Sequence, residues 1–293
     1  MVNSEYIRGK VLMSMDENHV TNYGYKIIHQ SWKNENIPVK HKEHFESWHD
    51  YHPCALHVLW TDEDNTSFVK NEYPNLLDVY NSLVLVIQKC DMVRLLYLHK
   101  YGGVYADLDY EAHTNIFKNI PKKFDILIVE SPALINETMQ NSLMISRNRK
   151  HMYWEKCIES IIEIIDFIAD REGCYKNGWG GCKLLEHFHN PITKKATNLL
   201  FTQYITGPAI LDKTLVRYLH ENWNIKQLAS DRFFNGNSIE GGVSTHHQAN
   251  SWVNISKNTP ELMLLSVSFI LLLCVICVIS TVFVCNQILK HKN

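Results

Sequence analysis

Apolar runs of strand length alternate with stretches of helical period through most of the chain. Lys26-Ile-Ile-His-Gln-Ser-Trp32, Leu56-His-Val-Leu-Trp60, Val104-Tyr105-Ala106, Phe124-Asp-Ile-Leu-Ile-Val-Glu130 and Ser142-Leu-Met-Ile-Ser146 read as strands. Between them, Phe45 and Trp48 mark one side of a helix, and Thr61-Asp-Glu-Asp64 caps a second that ends near Tyr73-Pro74. Val93, Leu96 and Tyr97 fall at i, i+3 and i+4 of a third, and Trp154, Ile158, Ile161, Ile165 and Ile168 trace a long fourth. A further helix follows Thr206-Gly-Pro208 with Leu211, Leu215 and Leu219 on its apolar side. Strand and helix in alternation at these lengths predict parallel βαβ units, an α/β fold.

The two ends of the chain differ from this pattern. Residues 1–24 are polar and mixed and predict a loosely ordered arm ahead of a domain over 25–255. Residues 262–285 are uncharged and almost wholly apolar, and residues 286–293 form a short tail with Lys290 and Lys292. As a helix that run spans about 36 Å at 1.5 Å per residue, enough for a hydrocarbon core of about 30 Å. A transmembrane helix is expected there.

The densest chemistry lies at 90–111. Asp91 and Arg94 are one helical turn apart, and Gly102-Gly103 ends their helix because glycine takes the left-handed conformation that a helix C-terminus commonly needs. The strand Val104-Tyr105-Ala106 then runs directly into Asp107-Leu108-Asp109. In open α/β sheets ligands gather at the carboxyl ends of strands. Two hard oxygen donors there can hold Mn²⁺ or Mg²⁺, which in turn bridges the phosphates of a nucleotide. An exposed turn can carry the same two acids, and Asp91 with Arg94 is also an ordinary intrahelical ion pair. Phosphatase chemistry with an aspartyl nucleophile would want Thr or Val two residues after the second acid, where Glu111 stands.

Composition removes other classes. The chain has 293 residues, 45% hydrophobic and 20% charged, with a formal net charge of −2, which suits one domain with a substantial core. No basic excess points to nucleic acid. Gly178-Trp-Gly-Gly181 lacks the lysine of a phosphate-binding loop and reads as a loop or acceptor lid. Cys174 and Cys182 are candidates for a disulfide in an oxidising lumen, against free small core residues.

Asp91-x-x-Arg94 with Tyr-Gly-Gly-Val-Tyr-x-Asp-x-Asp109, Lys26-Ile-Ile-His-Gln-Ser-Trp32, Thr206-Gly-Pro208 and the segment Ser244-Thr-His-His-Gln-Ala-Asn-Ser-Trp252 together resemble glycosyltransferase family 32, in islands over about 25–253. The resemblance implies a GT-A type Rossmann-like domain that transfers a sugar with retention of configuration from a nucleotide-sugar donor. It implies that Asp109 and Asp107 hold the metal, that Asp91 and Arg94 meet sugar hydroxyls and a phosphate, and that Trp32 stacks on the base. It adds Tyr105, Asn250, Ser251 and Trp252 to the donor site, and His247, Asn250 or Ser251 as completing the metal and diphosphate site. GDP-mannose and a membrane-lipid or glycan acceptor are the first expectation, with UDP-galactose, UDP-N-acetylglucosamine or an inactive binding protein as alternatives.

Topology is less uniform. Lys290 and Lys292 favour a cytoplasmic tail and a catalytic domain in the Golgi or ER lumen. Sequons at Asn65, Asn136 and Asn254 agree, while the polar N-terminus has no apolar signal region.

Overall fold

The structure is a computed structural model that describes residues 6–83, 85–132, 139–172, 202–203, 205–236 and 240–247. The apolar segment 262–285, the tail, Cys174, Cys182, the 178–181 loop and residues 250–252 lie outside the described residues. Among the described residues no helix is long and apolar enough to cross a membrane.

Strands β1 (Ile7–Arg8), β2 (Ile27–Ser31), β3 (Leu56–Trp60), β4 (Gly103–Ala106), β6 (Ile126–Glu130), β7 (Met139–Ser146) and β8 (Ile225–Leu228) form one mixed sheet. Its order is β1-β3-β2-β4-β7-β6-β8. Every neighbouring pair is parallel except the two that β7 makes, with β4 and with β6. A second, two-stranded sheet pairs β5 (Tyr110–Ala112) with β9 (Ser244–His246), antiparallel. The α/β expectation holds, and β7 is the departure from all-parallel βαβ order.

Period-two alternation sorts the strand residues between two cores. Ile27, Val58, Ile126 and Ile128 face one cluster, while Ile28, Val104, Leu127 and Val129 face the other. The first face is covered by α4 (Asp62–Glu72), α6 (Val86–Tyr101), α8 (Met152–Glu172) and α9 (Ala209–Arg217). The second is covered from α3 (Val39–Tyr51), whose Trp48 is fully buried and donates from its indole N–H to the Tyr110 carbonyl at 2.8 Å. Thr61 and Asp64 form a capping box on α4, as their spacing predicts.

Two expectations are corrected. Residues 6–24 are not a loose arm: β1 joins the sheet edge, α1 (Gly9–Ser14) and α2 (Glu17–Asn22) follow, and Leu12 and Val20 are buried. Their apolar residues are too few to show a period, yet Leu12 and Val20 reach the core. Leu219 does not share the buried side of α9, which ends at Arg217, and it is exposed.

The glycine pair places the functional strand. Gly102 has φ +67° and caps α6, and Gly103 has φ +95°. A Cβ on Gly103 would stand 2.3 Å from the Ile27 carbonyl oxygen, so only glycine lets β4 lie against β2 there.

Candidate metal and nucleotide site

The carboxyl ends of β3, β2 and β4 lie side by side because the three strands are parallel. Asp107 follows β4, and Trp32 follows β2 with its backbone N–H bonded to the Trp60 carbonyl at 2.9 Å. The chain turns at Asp107, where the Tyr110 N–H donates to its carbonyl at 3.0 Å, and enters β5. Pairing of β5 with β9 sets Tyr110 opposite His246. The His246 ring stacks on Tyr110 at 4.7 Å, and its Nε2 lies 3.1 Å from Asp109 Oδ1.

Asp107, Asp109 and His246 each offer a ligand atom, and these lie within 4.8 Å of one another. Burial raises the Asp107 pKa; Arg94 opposes that shift and the Asp109 charge adds to it. Two carboxylates held this close, with an imidazole whose Nδ1 has no hydrogen-bond partner, form a donor set suited to a divalent cation. The residues fit Mn²⁺ or Mg²⁺.

Beneath this group lies a buried ionic layer. Asp91 and Arg94, near the middle of α6, are each 3% exposed. Arg94 Nη2 lies 3.3 Å from Asp91 Oδ1, and Nη1 lies 3.2 Å from Asp107 Oδ1 and 2.9 Å from the Asn141 carbonyl. Its guanidinium also sits 4.6 Å from the centre of the Tyr105 ring. Asp91 accepts from Asn141 Nδ2 at 2.9 Å and from the Thr206 hydroxyl at 3.2 Å. Burial drives its pKa up to about 7 although Arg94 pulls the other way. Tyr105, 1% exposed, donates its hydroxyl to Asp107 Oδ1 at 2.8 Å. A second line reaches the same loop: His57 Nε2 lies 2.9 Å from Gln30 Oε1, and Gln30 Nε2 donates to the Asp107 carbonyl at 3.2 Å.

The predicted residues therefore divide. Asp107 and Asp109 are brought together, with Asp91, Arg94 and Tyr105 packed behind Asp107 and their polar groups directed at one another. Trp32 is half-buried at the strand end beside Ile37, Phe45 and Leu108, and its indole nitrogen has no hydrogen-bond partner. Asn250, Ser251 and Trp252 lie outside the described residues. The histidine differs from the one expected. His247 turns away to Glu111, with Nε2 2.8 Å from Oε2, and its ring stacks on His44 at 4.0 Å. His246 takes the place beside Asp109, because adjacent residues leaving a strand point to opposite sides. Sequence reading also missed Asn141 and Thr206; Thr206 lay in a motif already noted, whereas Asn141 had no local signal.

Residues 38–127 match the family model of the glycosyltransferase sugar-binding region containing DXD motif. A mannosyl phosphorylinositol ceramide synthase of Saccharomyces cerevisiae is 36% identical over 140 residues, 46% of this chain and 34% of that protein. Inositol phosphoceramide mannosyltransferase 3 of Schizosaccharomyces pombe is 46% identical over 84 residues, 29% of this chain and 24% of that protein. The chain thus spans about a third or less of the curated relatives it matches. Among solved structures, the catalytic domain of alpha-toxin from Clostridium novyi aligns over 88% of this chain and 85% of its own, at 12% identity and a TM-score of 0.48. The matched region contains Asp91, Arg94, Asp107 and Asp109 together, so the likeness to glycosyltransferases whose sugar-binding region carries the DXD motif falls on the residues of this site.

Proposed function

We propose that the protein is a metal-dependent, retaining glycosyltransferase of the GT-A type that moves mannose from GDP-mannose to an inositol-phosphoceramide-like membrane lipid. The observation that carries this reading is the meeting of Asp107, Asp109 and His246 at the carboxyl edge of the parallel strands. The names of the matched relatives support mannose and the ceramide acceptor. UDP-galactose and UDP-N-acetylglucosamine share the core motif and are the rival donors.

Asp109, Asp107 and His246 would hold Mn²⁺ or Mg²⁺, which supplies Lewis-acid stabilisation of the departing diphosphate. Asp107 is oriented for this by Tyr105 and Arg94, which fix Oδ1 from two directions. The Trp32 face would take the base; base–aromatic stacking is worth about 1–3 kcal/mol. Asp91 and Arg94 would act on the sugar and phosphate mainly by holding the charge balance under Asp107. Asn250, Ser251 and Trp252 would close the diphosphate side. The apolar run 262–285 would anchor the domain to the membrane that holds its acceptor, with the domain in the Golgi or ER lumen.

The test is a nucleotide-sugar panel with the purified full chain, Mn²⁺ and inositol-phosphoceramide in mixed micelles, read by mass spectrometry of the lipid. The reading requires a one-hexose gain from GDP-mannose. A gain only from a UDP-sugar would replace the donor, and no gain from any sugar with Mn²⁺ present would remove the enzymatic reading.

A further inference from the structure

A second group of metal-ligand side chains lies next to the first and is absent from the mechanism above. His44 comes from α3, Glu111 from β5 and His247 from the residue after β9, so three remote parts of the chain converge. One ligand atom from each lies within 4.8 Å of the others. The two imidazole planes are 4° from parallel, and Nδ1 of His44 is closed off from solvent without a hydrogen-bond partner.

We propose that His44, Glu111 and His247 form a second cation site, one that takes a borderline transition ion of the Zn²⁺ class. The donor set separates it from its neighbour. Two imidazoles and one carboxylate with a fourth position open are a set that zinc accepts, whereas the Asp107–Asp109 pair offers mainly hard oxygen for Mn²⁺ or Mg²⁺. A tetrahedral ion with bonds of about 2.1 Å needs donors about 3.4 Å apart, so binding draws the three donors together and turns the two rings out of their parallel stack. The backbone under two of the three ligands is held, since the His247 N–H donates to the Asp109 carbonyl at 2.9 Å and β9 is paired with β5. Entry is direct, because the side chains of His247 and Glu111 are 34% and 37% exposed. An ion there would staple α3 to the β5–β9 pair, one residue from the His246 that faces Asp109.

The experiment uses the full chain in detergent with Mn²⁺ at saturation. Thermal unfolding and equilibrium dialysis with micromolar Zn²⁺ are compared for wild type, His44→Ala, Glu111→Gln and Asp107→Asn. The second site requires a Zn²⁺-dependent rise of several degrees in Tm and one bound equivalent beyond Mn²⁺. Both are retained in Asp107→Asn and lost in His44→Ala and in the isosteric Glu111→Gln. Undiminished zinc binding in both His44→Ala and Glu111→Gln overturns the proposal. So does zinc that is lost in Asp107→Asn, which would put the ion in the first group.

Discussion

Arg94 Nη1 lies 3.2 Å from Asp107 Oδ1, so a buried cation meets the first carboxylate of the Asp-x-Asp pair from the side of the protein interior. The same guanidinium meets Asp91 at 3.3 Å. Burial opposes its charge, but the adjacent carboxylates more than offset this and hold its pKa above the ordinary value. Arg94 thus counters the buried Asp91 and the partly exposed Asp107 from the interior side, while Asp107 faces Asp109 and His246 on the other.

Removing that guanidinium should cost more than a surface ion pair. Arg94→Met leaves Asp91 and Asp107 without a counter-charge, and breaking a buried pair in this way destabilises by about 3–5 kcal/mol. Arg94→Lys keeps the charge but cannot span Asp91, Asp107 and the Asn141 carbonyl in one plane, and should recover only part of the loss. Urea unfolding measures both. A change under about 0.5 kcal/mol in Arg94→Met would mean that the ionic layer contributes nothing to the fold.

Three buried histidines give the fold an acid limit. His29 donates from Nε2 to the Gly102 carbonyl at 3.0 Å while Nδ1 accepts from the Trp60 indole at 3.1 Å, so one neutral tautomer satisfies both bonds. His52 does the converse, with Nδ1 donating to the Trp48 carbonyl at 2.7 Å and Nε2 accepting from the Ile116 N–H at 2.8 Å. Burial lowers His29 and His52 to about 4 and His57 to about 3. Between pH about 6.5 and those values the unfolded chain binds protons that the folded chain refuses, so stability falls as pH drops through that window. His29 and His52 account for about 3 kcal/mol each at most and His57 for about 5 kcal/mol. Chemical denaturation at pH 7, 6, 5 and 4 should show the decline, and His52→Gln should flatten part of it. A midpoint constant from pH 7 to 4 would contradict this account.

One of the three sequons is structural. Asn65 lies on α4, is 2% exposed, and its Oδ1 accepts from the Tyr97 hydroxyl. A glycan at this position could not be packed, so Asn65→Gln should leave the glycosylation state unchanged while costing about 1–3 kcal/mol through the unpaired Tyr97 hydroxyl. Loss of an endoglycosidase-sensitive mobility shift in Asn65→Gln would contradict the buried placement. Asn136 and Asn254 lie outside the described residues, and the proposed luminal topology rests on their modification and on protease protection in sealed microsomes.

What the sequence displayed best were local features with a strong physical signature. Thr61 and Asp64 announce a cap, Gly102-Gly103 a helix end against a close strand, and Asp107-Leu108-Asp109 a strand-end carboxylate pair; each stands where its spacing put it. Features made by pairing distant segments were not legible. The antiparallel direction of β7, which sets Asn141 against Arg94, has no mark in the run 139–146. The choice between His246 and His247 depends on the β5–β9 register, and a one-residue change in register exchanges the two faces. Residues 6–24 hid their order because their buried anchors, Leu12 in the short run Val11-Leu12-Met13 and Val20 alone among polar residues, are too few to show a period.

The central claim is that Asp107, Asp109 and His246 hold a divalent cation through which the donor nucleotide binds. Calorimetric titration of GDP into the full chain, with Mn²⁺ and then with EDTA, tests it most directly when repeated on Asp109→Ala and His246→Ala. Binding to the wild type should require Mn²⁺, vanish in Asp109→Ala and weaken about tenfold or more in His246→Ala, with thermal unfolding confirming that each variant is folded. GDP binding of equal strength in EDTA, or in folded Asp109→Ala with Mn²⁺, would contradict the account.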